Sequence, residues 1–198
     1  MNNPQLILAS RSPSRRAMLE SAGLEFDVCF SGVEEATIKD EGRKKKWDAR
    51  KMSMHLAVVK ASAIKNGHAY IIGADQILEY EGSWFDKPAH ADEALLQLRH
   101  LRGQHYRLWT SVCIKKNNKL LWDYHACSVM KMRFFSDDFL TAYIKKGGDV
   151  ILSSPGACLL DGMGAQLLDS YEGDYFSILG LPLLPLLDAL RMHNMLGR

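Results

Sequence analysis

Between residues 9 and 16 the chain reads Ala9-Ser10-Arg11-Ser12-Pro13-Ser14-Arg15-Arg16, three hydroxyls and three guanidinium groups in one short stretch. Ser12-Pro13 has the form of an N-cap followed by the first helical residue, so these groups gather at a helix N-terminus. Unpaired N–H groups and the helix dipole favour an anion there. Arginines in the first turn are unfavourable by about 0.3–1 kcal/mol each without a negative partner. A phosphate supplies one, because guanidinium offers planar paired donors; Glu20 or Glu25 would supply another, leaving an ordinary solvated helix end.

Asp75 follows the apolar run Tyr70-Ile71-Ile72-Gly73-Ala74 and should emerge at the carboxyl edge of a sheet, where open α/β sheets bind ligands. It is a candidate metal ligand or general base, and equally a turn-forming aspartate. Glu34 and Glu35, in a polar stretch after another strand, could add a second carboxylate or lie on the surface. Two carboxylate ligands completed by substrate phosphates are what Mg²⁺ usually takes. Lys60 falls among Leu56, Val59 and Ala63 on a helix, and Lys87 precedes Pro88 in a rigid turn. A snorkelling stem and a solvated turn explain these lysines as well as phosphate contact does. The seven histidines have no H-x-x-x-H or H-x-H spacing, so no zinc site is assigned.

The elements that must position these groups follow from periodicity and punctuation. Gln5 to Ala9 reads as a strand, and a helix runs from Pro13 to the stop at Gly23. Phe26 to Ser31 is a second strand, Gly32 to Asp40 a polar loop, and Trp47 to Asn66 a long helix. Ala69 to Ala74 is a buried strand continuing through Gln76 to Tyr80 and returning over Ser83 to Phe85. His90 to Leu101 is helical. Tyr106 to Lys115 and Leu120 to Met132 form a hairpin across Asn117-Asn118. Ser136 caps a helix over Asp137 to Lys146, Ser153 to Gly164 is a loop, Tyr175 to Leu179 is strand-like, and a helix follows Pro182. Strands alternating with helices, then a hairpin and more helices, indicate an α/β protein with a mixed sheet and sites at strand ends.

The 198 residues, 47% hydrophobic and 24% charged, have the proportions of an ordinary globular chain, with burial of roughly 70% of the extended surface expected. Twenty-five Lys and Arg against 23 Asp and Glu give a formal charge of +2, so any anion must be held locally. The run Arg43 to Lys46 with Trp47 is a nucleic-acid patch or, more simply, a solvated helix start. The longest charge-free stretch, Tyr175 to Leu187, contains two prolines and is too short to span a membrane. With no basic n-region ahead of the first apolar run, a secretory signal is not expected and cytoplasm is the expected location. Cys29, Cys113, Cys127 and Cys158 are scattered without C-x-x-C, which suits buried thiols in a reducing compartment.

Taken in order, these pieces resemble the Maf family of nucleoside triphosphate pyrophosphatases across nearly the whole chain. Leu8-Ala9-Ser10-x-Ser12-Pro13-x-Arg15-Arg16-x-x-Leu19 is similar to the opening motif, and Gly32-Val33-Glu34-Glu35 to an acidic motif. Leu56-Ala57-x-x-Lys60-Ala61 matches a helix lysine motif and Ile72-Gly73-Ala74-Asp75 a catalytic aspartate motif. Lys87-Pro88 with Leu98 to Gly103, and Gly180-Leu181-Pro182-Leu183, complete the series.

The resemblance implies one domain over residues 1–198, an elongated mixed twisted sheet flanked by helices, in two lobes with a central cleft, shared with inosine triphosphatase-like enzymes. It implies metal-dependent hydrolysis of nucleoside triphosphates, modified or non-canonical ones among them, to monophosphate and pyrophosphate in a house-cleaning role. Carried over by position, Ser10, Ser12, Arg15 and Lys60 contact phosphates, and Arg16 is either a second phosphate contact or a support; Glu35 and Asp75 bind Mg²⁺ or Mn²⁺ and position water, Asp75 as base; Lys87 stabilises charge. The implied partners are the triphosphate and a second copy of the chain, without stable nucleic-acid or membrane binding. Two positions bear on the base: Gln76, similar to the branch acting on methylated guanosine triphosphate, and Asp161, where the family commonly has Gln. An acid at 161 belongs at the nucleoside end, since near phosphates it would be repelled. The alternative is a non-catalytic nucleotide- or phosphate-binding regulatory protein.

Overall fold

Leu6–Leu8 form a strand, β1, buried on both faces, which is why it shows no polar alternation. Leu6 and Leu8 enter one apolar cluster while Ile7 and Ala9 enter another, the two-residue period of a strand. The computed structural model describes residues 5–197. β1 pairs in parallel with β2 (Asp27–Val28) and β3 (Tyr70–Tyr80). β4 (Ser83–Phe85) returns antiparallel on β3. β5 (His105–Lys116) and β6 (Lys119–Met132) follow, and β7 (Leu168–Glu172) is antiparallel to β6. The order β2-β1-β3-β5-β6-β7, with β4 on β3, makes one mixed seven-stranded sheet. Among the described residues seven α-helices accompany it: α1 Pro13–Ser21, α2 Glu35–Lys44, α3 Ala49–Ala63, α4 Ala91–Leu101, α5 Asp137–Ile151, α6 Tyr175–Ile178 and α7 Leu183–Met192. The fold class is the mixed α/β class expected.

The chain divides into two compact units. The first comprises the chain up to Gln76, Thr110–Ala126 and the chain from Asp174. Its sheet carries Leu19, Leu181, Leu186 and Leu190 against Leu8 and Ile72 on one face, and Ala57, Ala61 and Ile64 against Ile7 and Ile71 on the other. The second comprises Ile77–Trp109 and Cys127–Gly173. There Leu98, Leu101, Leu140 and Tyr143 are buried, and the Tyr143 hydroxyl donates to Ala157 O at 2.7 Å. The Gln97 amide oxygen accepts from Gly156 N at 2.9 Å.

Several elements differ from expectation for local reasons. The expected polar loop over Gly32 to Asp40 is largely α2, nucleated by Glu34, whose carboxylate accepts from Ala36 N, and finished by Arg43 and Lys44 in its last turn. Only Gly42 of that helix is buried, so it leaves no apolar stripe to read. The strand-like Tyr175 to Leu179 is instead α6, because Asp174 caps it by accepting from Ser177 N and Oγ. The second strand shrinks to two residues, and β7 was not expected, since four of its five residues are exposed. Asn117 and Asn118 adopt φ 50° and 60°, the left-handed pair of a tight hairpin turn, as expected. Of the four free thiols, Cys113 is buried and Cys158 intermediate, but Cys29 and Cys127 are exposed, correcting the expectation of burial. No helix among the described residues is long and apolar enough to cross a membrane.

Candidate active site

Ser12 caps α1, its hydroxyl accepting from Arg15 N at 3.4 Å. One turn back, Ser10 Oγ accepts from Ser12 N and from Arg15 Nη1, both at 3.2 Å. Arg15 itself is buried. Its Nε donates to Gly180 O at 2.7 Å and its Nη1 to Ala74 O at 2.9 Å. Arg15 therefore ties the start of α1 to the middle of β3 and to the turn before α7, with Ser10 fixed in between. Burial lowers its pKa, opposed by the charges of Asp75 and Glu35.

Asp75 lies midway along β3, not after the end of a strand as expected, because β3 runs on through Gln76 to Tyr80, and a close approach sets its place. A Cβ on Gly73 would lie 2.1 Å from Ala57 O and 2.9 Å from Ala61 Cβ, so glycine on the strand and alanines on α3 let the two elements touch. That contact brings Lys60, on the same helix, within reach of Asp75 two residues beyond Gly73. Lys60 Nζ lies 2.6 Å from Asp75 Oδ1 and 2.8 Å from Glu35 Oε1. Glu35 arrives from the first turn of α2. Burial pushes the Glu35 carboxyl up, but the charge and hydrogen bond of Lys60, with Lys39 and Arg15, outweigh it and hold its pKa below the usual value. Asp75 Oδ2 is buried and accepts no hydrogen bond.

A cavity of about 280 Å³ opens here, lined among others by Ser10, Arg11, Gly32, Glu34, Glu35 and Lys60. Buried polar atoms are normally paired, so the orphaned Asp75 oxygen calls for a further group such as a cation or a water. No cluster of three or more His, Cys, Asp or Glu suited to metal occurs among the described residues. Asp75 and Glu35 together offer hard oxygen donors that fit Mg²⁺ or Mn²⁺ provided that substrate oxygens complete the shell. The arrangement suits an anion carrying its own cation.

Of the sequence-derived candidates, Ser10, Glu35, Lys60 and Asp75 come together, with Ser12 and Arg15 behind them. Arg16 instead pairs with Glu20 at 2.7 Å on the exposed side of α1, the alternative the sequence left open. The Gln76 amide nitrogen is engaged by Thr110 Oγ1 (2.9 Å), Ser177 O (3.0 Å) and Ile178 O (3.1 Å), anchoring the strand to α6. Lys87 and Asp161 belong to the second unit, both exposed, Asp161 in a turn between two short 3-10 segments. Sequence reasoning did not single out Arg11, which lines the cavity with its guanidinium over the Phe30 ring. Its place among three arginines was the available signal. The basic run shows local pairs, Arg43 with Asp40 and Lys45 with Glu41, and Lys45 and Lys51 lie over Trp47.

The sequence pattern of the Maf family, described as Maf-like protein, matches residues 5–193. The chain belongs to the Maf family. Its similarity to named family members is near full length: 42% identity over 97% of this chain and 98% of a nucleoside triphosphate pyrophosphatase from Granulibacter bethesdensis. A nucleoside triphosphate pyrophosphatase from Hyphomonas neptunium is also 42% identical, over 96% of each chain. A 7-methyl-GTP pyrophosphatase from Brucella abortus is 37% identical, again over 96% of each. Three of the segments read from the sequence, around Ser10, Gly32 to Glu35 and Lys60, contribute residues that line the cavity, and Asp75 pairs with Lys60.

Proposed function

We propose that this Maf-family chain hydrolyses nucleoside triphosphates, modified bases included, to monophosphate and pyrophosphate, as a house-cleaning enzyme of the cytoplasm. The observation that carries the reading is one buried ammonium, Lys60, held between Asp75 and Glu35 at the floor of a small cavity, with an unpaired carboxylate oxygen on Asp75. The names of the relatives support the same class of substrate.

Ser10 and Arg11 meet the phosphates at the cavity wall, and Lys60 neutralises oxygen charge as it develops. Arg15 acts through Ser10, as a positioning residue. Asp75 accepts the proton of a water whose oxygen bonds to the α-phosphorus. The bond to the bridging oxygen breaks, and pyrophosphate leaves with its electron pair. A divalent cation on Asp75 and Glu35, when bound, supplies charge neutralisation and polarisation of the phosphate. The family pattern adds Lys87 as a charge stabiliser and Asp161 as a contact to the base or sugar. Pyrophosphate release from a panel of canonical and modified triphosphates, 7-methyl-GTP among them, tests the proposal. Binding without turnover of any of them would favour the regulatory alternative.

A further inference from the structure

β1 and β2 run in parallel with Ile7 opposite Asp27 and Leu8 opposite Val28, and Cys29 N still donates to Leu8 O at 3.0 Å. The two strands therefore leave the sheet together. The residues just past their ends meet, the Arg11 guanidinium lying 5.3 Å from the centroid of the Phe30 ring. Phe30 is 59% exposed, so it is no core residue, and the cation above it is its visible partner. A cation over an aromatic face engages through its charge and keeps its N–H groups for another ligand.

Two cations line the cavity, Arg11 and Lys60. Lys60 already faces Asp75 and Glu35. Arg15, behind them, directs its donors to Gly180 O, Ala74 O and Ser10 Oγ. Arg11 pairs with no carboxylate among the described residues. In the reaction proposed above, the carboxylates stand beside the α-phosphorus, where water is activated. The oxygens beyond it belong to the leaving group, and Arg11 is the lining cation left to take them. Its planar guanidinium suits two phosphate oxygens at once. We propose that Arg11, steadied by Phe30, binds the β- and γ-phosphates, so that this exposed end of the cavity is a pyrophosphate subsite. The assignment rests on the triphosphate chemistry and divides its labour: Asp75, Glu35 and Lys60 serve the reacting phosphorus, Arg11 the leaving group. Phe30 acts through Arg11, as a positioning residue.

The test is calorimetric titration of the full chain with inorganic pyrophosphate and with orthophosphate, both in Mg²⁺. Wild type should bind pyrophosphate more tightly than orthophosphate. Arg11→Gln should raise the pyrophosphate dissociation constant about tenfold or more and change that of orthophosphate less than about threefold. Phe30→Leu should weaken pyrophosphate binding about two- to fivefold, and Phe30→Tyr should restore it. Arg16→Gln removes the same charge from the same helix end and should leave both affinities unchanged. An Arg11→Gln variant that binds pyrophosphate as wild type does, an equal loss in Arg16→Gln, or an equal loss for orthophosphate would each overturn the subsite. A Phe30→Leu variant of wild-type affinity would overturn the role of the ring. No turnover is needed for these titrations. Pyrophosphate held through Arg11 by a chain that hydrolyses no triphosphate would sink the proposed activity alone, and hydrolysis with pyrophosphate binding indifferent to Arg11 would sink the subsite alone.

Discussion

Lys60 Nζ stands 2.6 Å from Asp75 Oδ1, and the two side chains retain 9% and 6% of their surface. The pair joins the buried face of α3 to the middle of β3, so the contact that packs helix on strand also holds the proposed catalytic aspartate. Glu35 is the third member, and one ammonium serves two carboxylates.

Removing the cation should therefore damage stability and activity together. Lys60→Met leaves a buried aspartate unpaired, which for a broken buried pair costs about 3–5 kcal/mol. Urea denaturation should show a loss in that range, and turnover should fall about 100-fold or more. A variant of normal stability would mean that the pair is not buried as described.

Gly73→Ala tests the approach of α3 to β3. The added methyl meets the Ala57 carbonyl, which belongs to helix backbone and cannot swing aside. Overpacking of this kind costs about 3 kcal/mol, and thermal melting measures it. A melting temperature within a degree or two of wild type would refute the contact.

The two neighbouring arginines should separate cleanly. Arg15→Lys loses the paired hold on Gly180 O and Ala74 O and should destabilise by about 2–3 kcal/mol. Arg16→Ala removes only an exposed pair with Glu20 and should stay within about 0.5 kcal/mol. Denaturation of the two variants side by side checks this, and equal losses would contradict the burial of Arg15.

The pH dependence of stability should carry a Glu35 contribution of definite sign. Its folded pKa is lowered, because Lys60 outweighs the opposing effect of burial. Its stabilisation is then fully present above the ordinary glutamate value of about 4.3 and is lost as pH falls through the lower folded value. Glu35 is 42% exposed, so solvent screens the effect and it is small. The stability difference between wild type and Glu35→Gln should shrink between about pH 5 and pH 3; a difference that grows on acidification would reverse the sign.

The order of motifs along the chain made the site legible: hydroxyls and arginines at a helix start, a lysine on an apolar helix, an aspartate after an apolar run. The hairpin was equally plain, because Asn117-Asn118 between two apolar runs leaves the backbone little choice. What was not legible depended on tertiary partners. α2 is polar on nearly all sides and declares itself only through Glu34 and its terminal charges. α6 is decided by one capping aspartate, Asp174. The division of labour between Arg15 and Arg16 is invisible in a doublet, since it depends on carbonyls 59 and 165 residues away. Gln76 likewise looks like a substrate contact in the sequence, whereas its amide nitrogen is engaged by Thr110, Ser177 and Ile178.

The central claim, attack of water at the α-phosphorus under the control of Asp75, is tested most directly by ³¹P NMR of the products formed in ¹⁸O-labelled water with Mg²⁺. The substrate is whichever triphosphate of the panel turns over fastest. The account predicts pyrophosphate without label and monophosphate carrying one ¹⁸O, with Asp75→Asn forming both slower by about 100-fold or more while melting as a folded protein. Labelled orthophosphate with a nucleoside diphosphate, or an Asp75→Asn variant of near-normal rate, would contradict it.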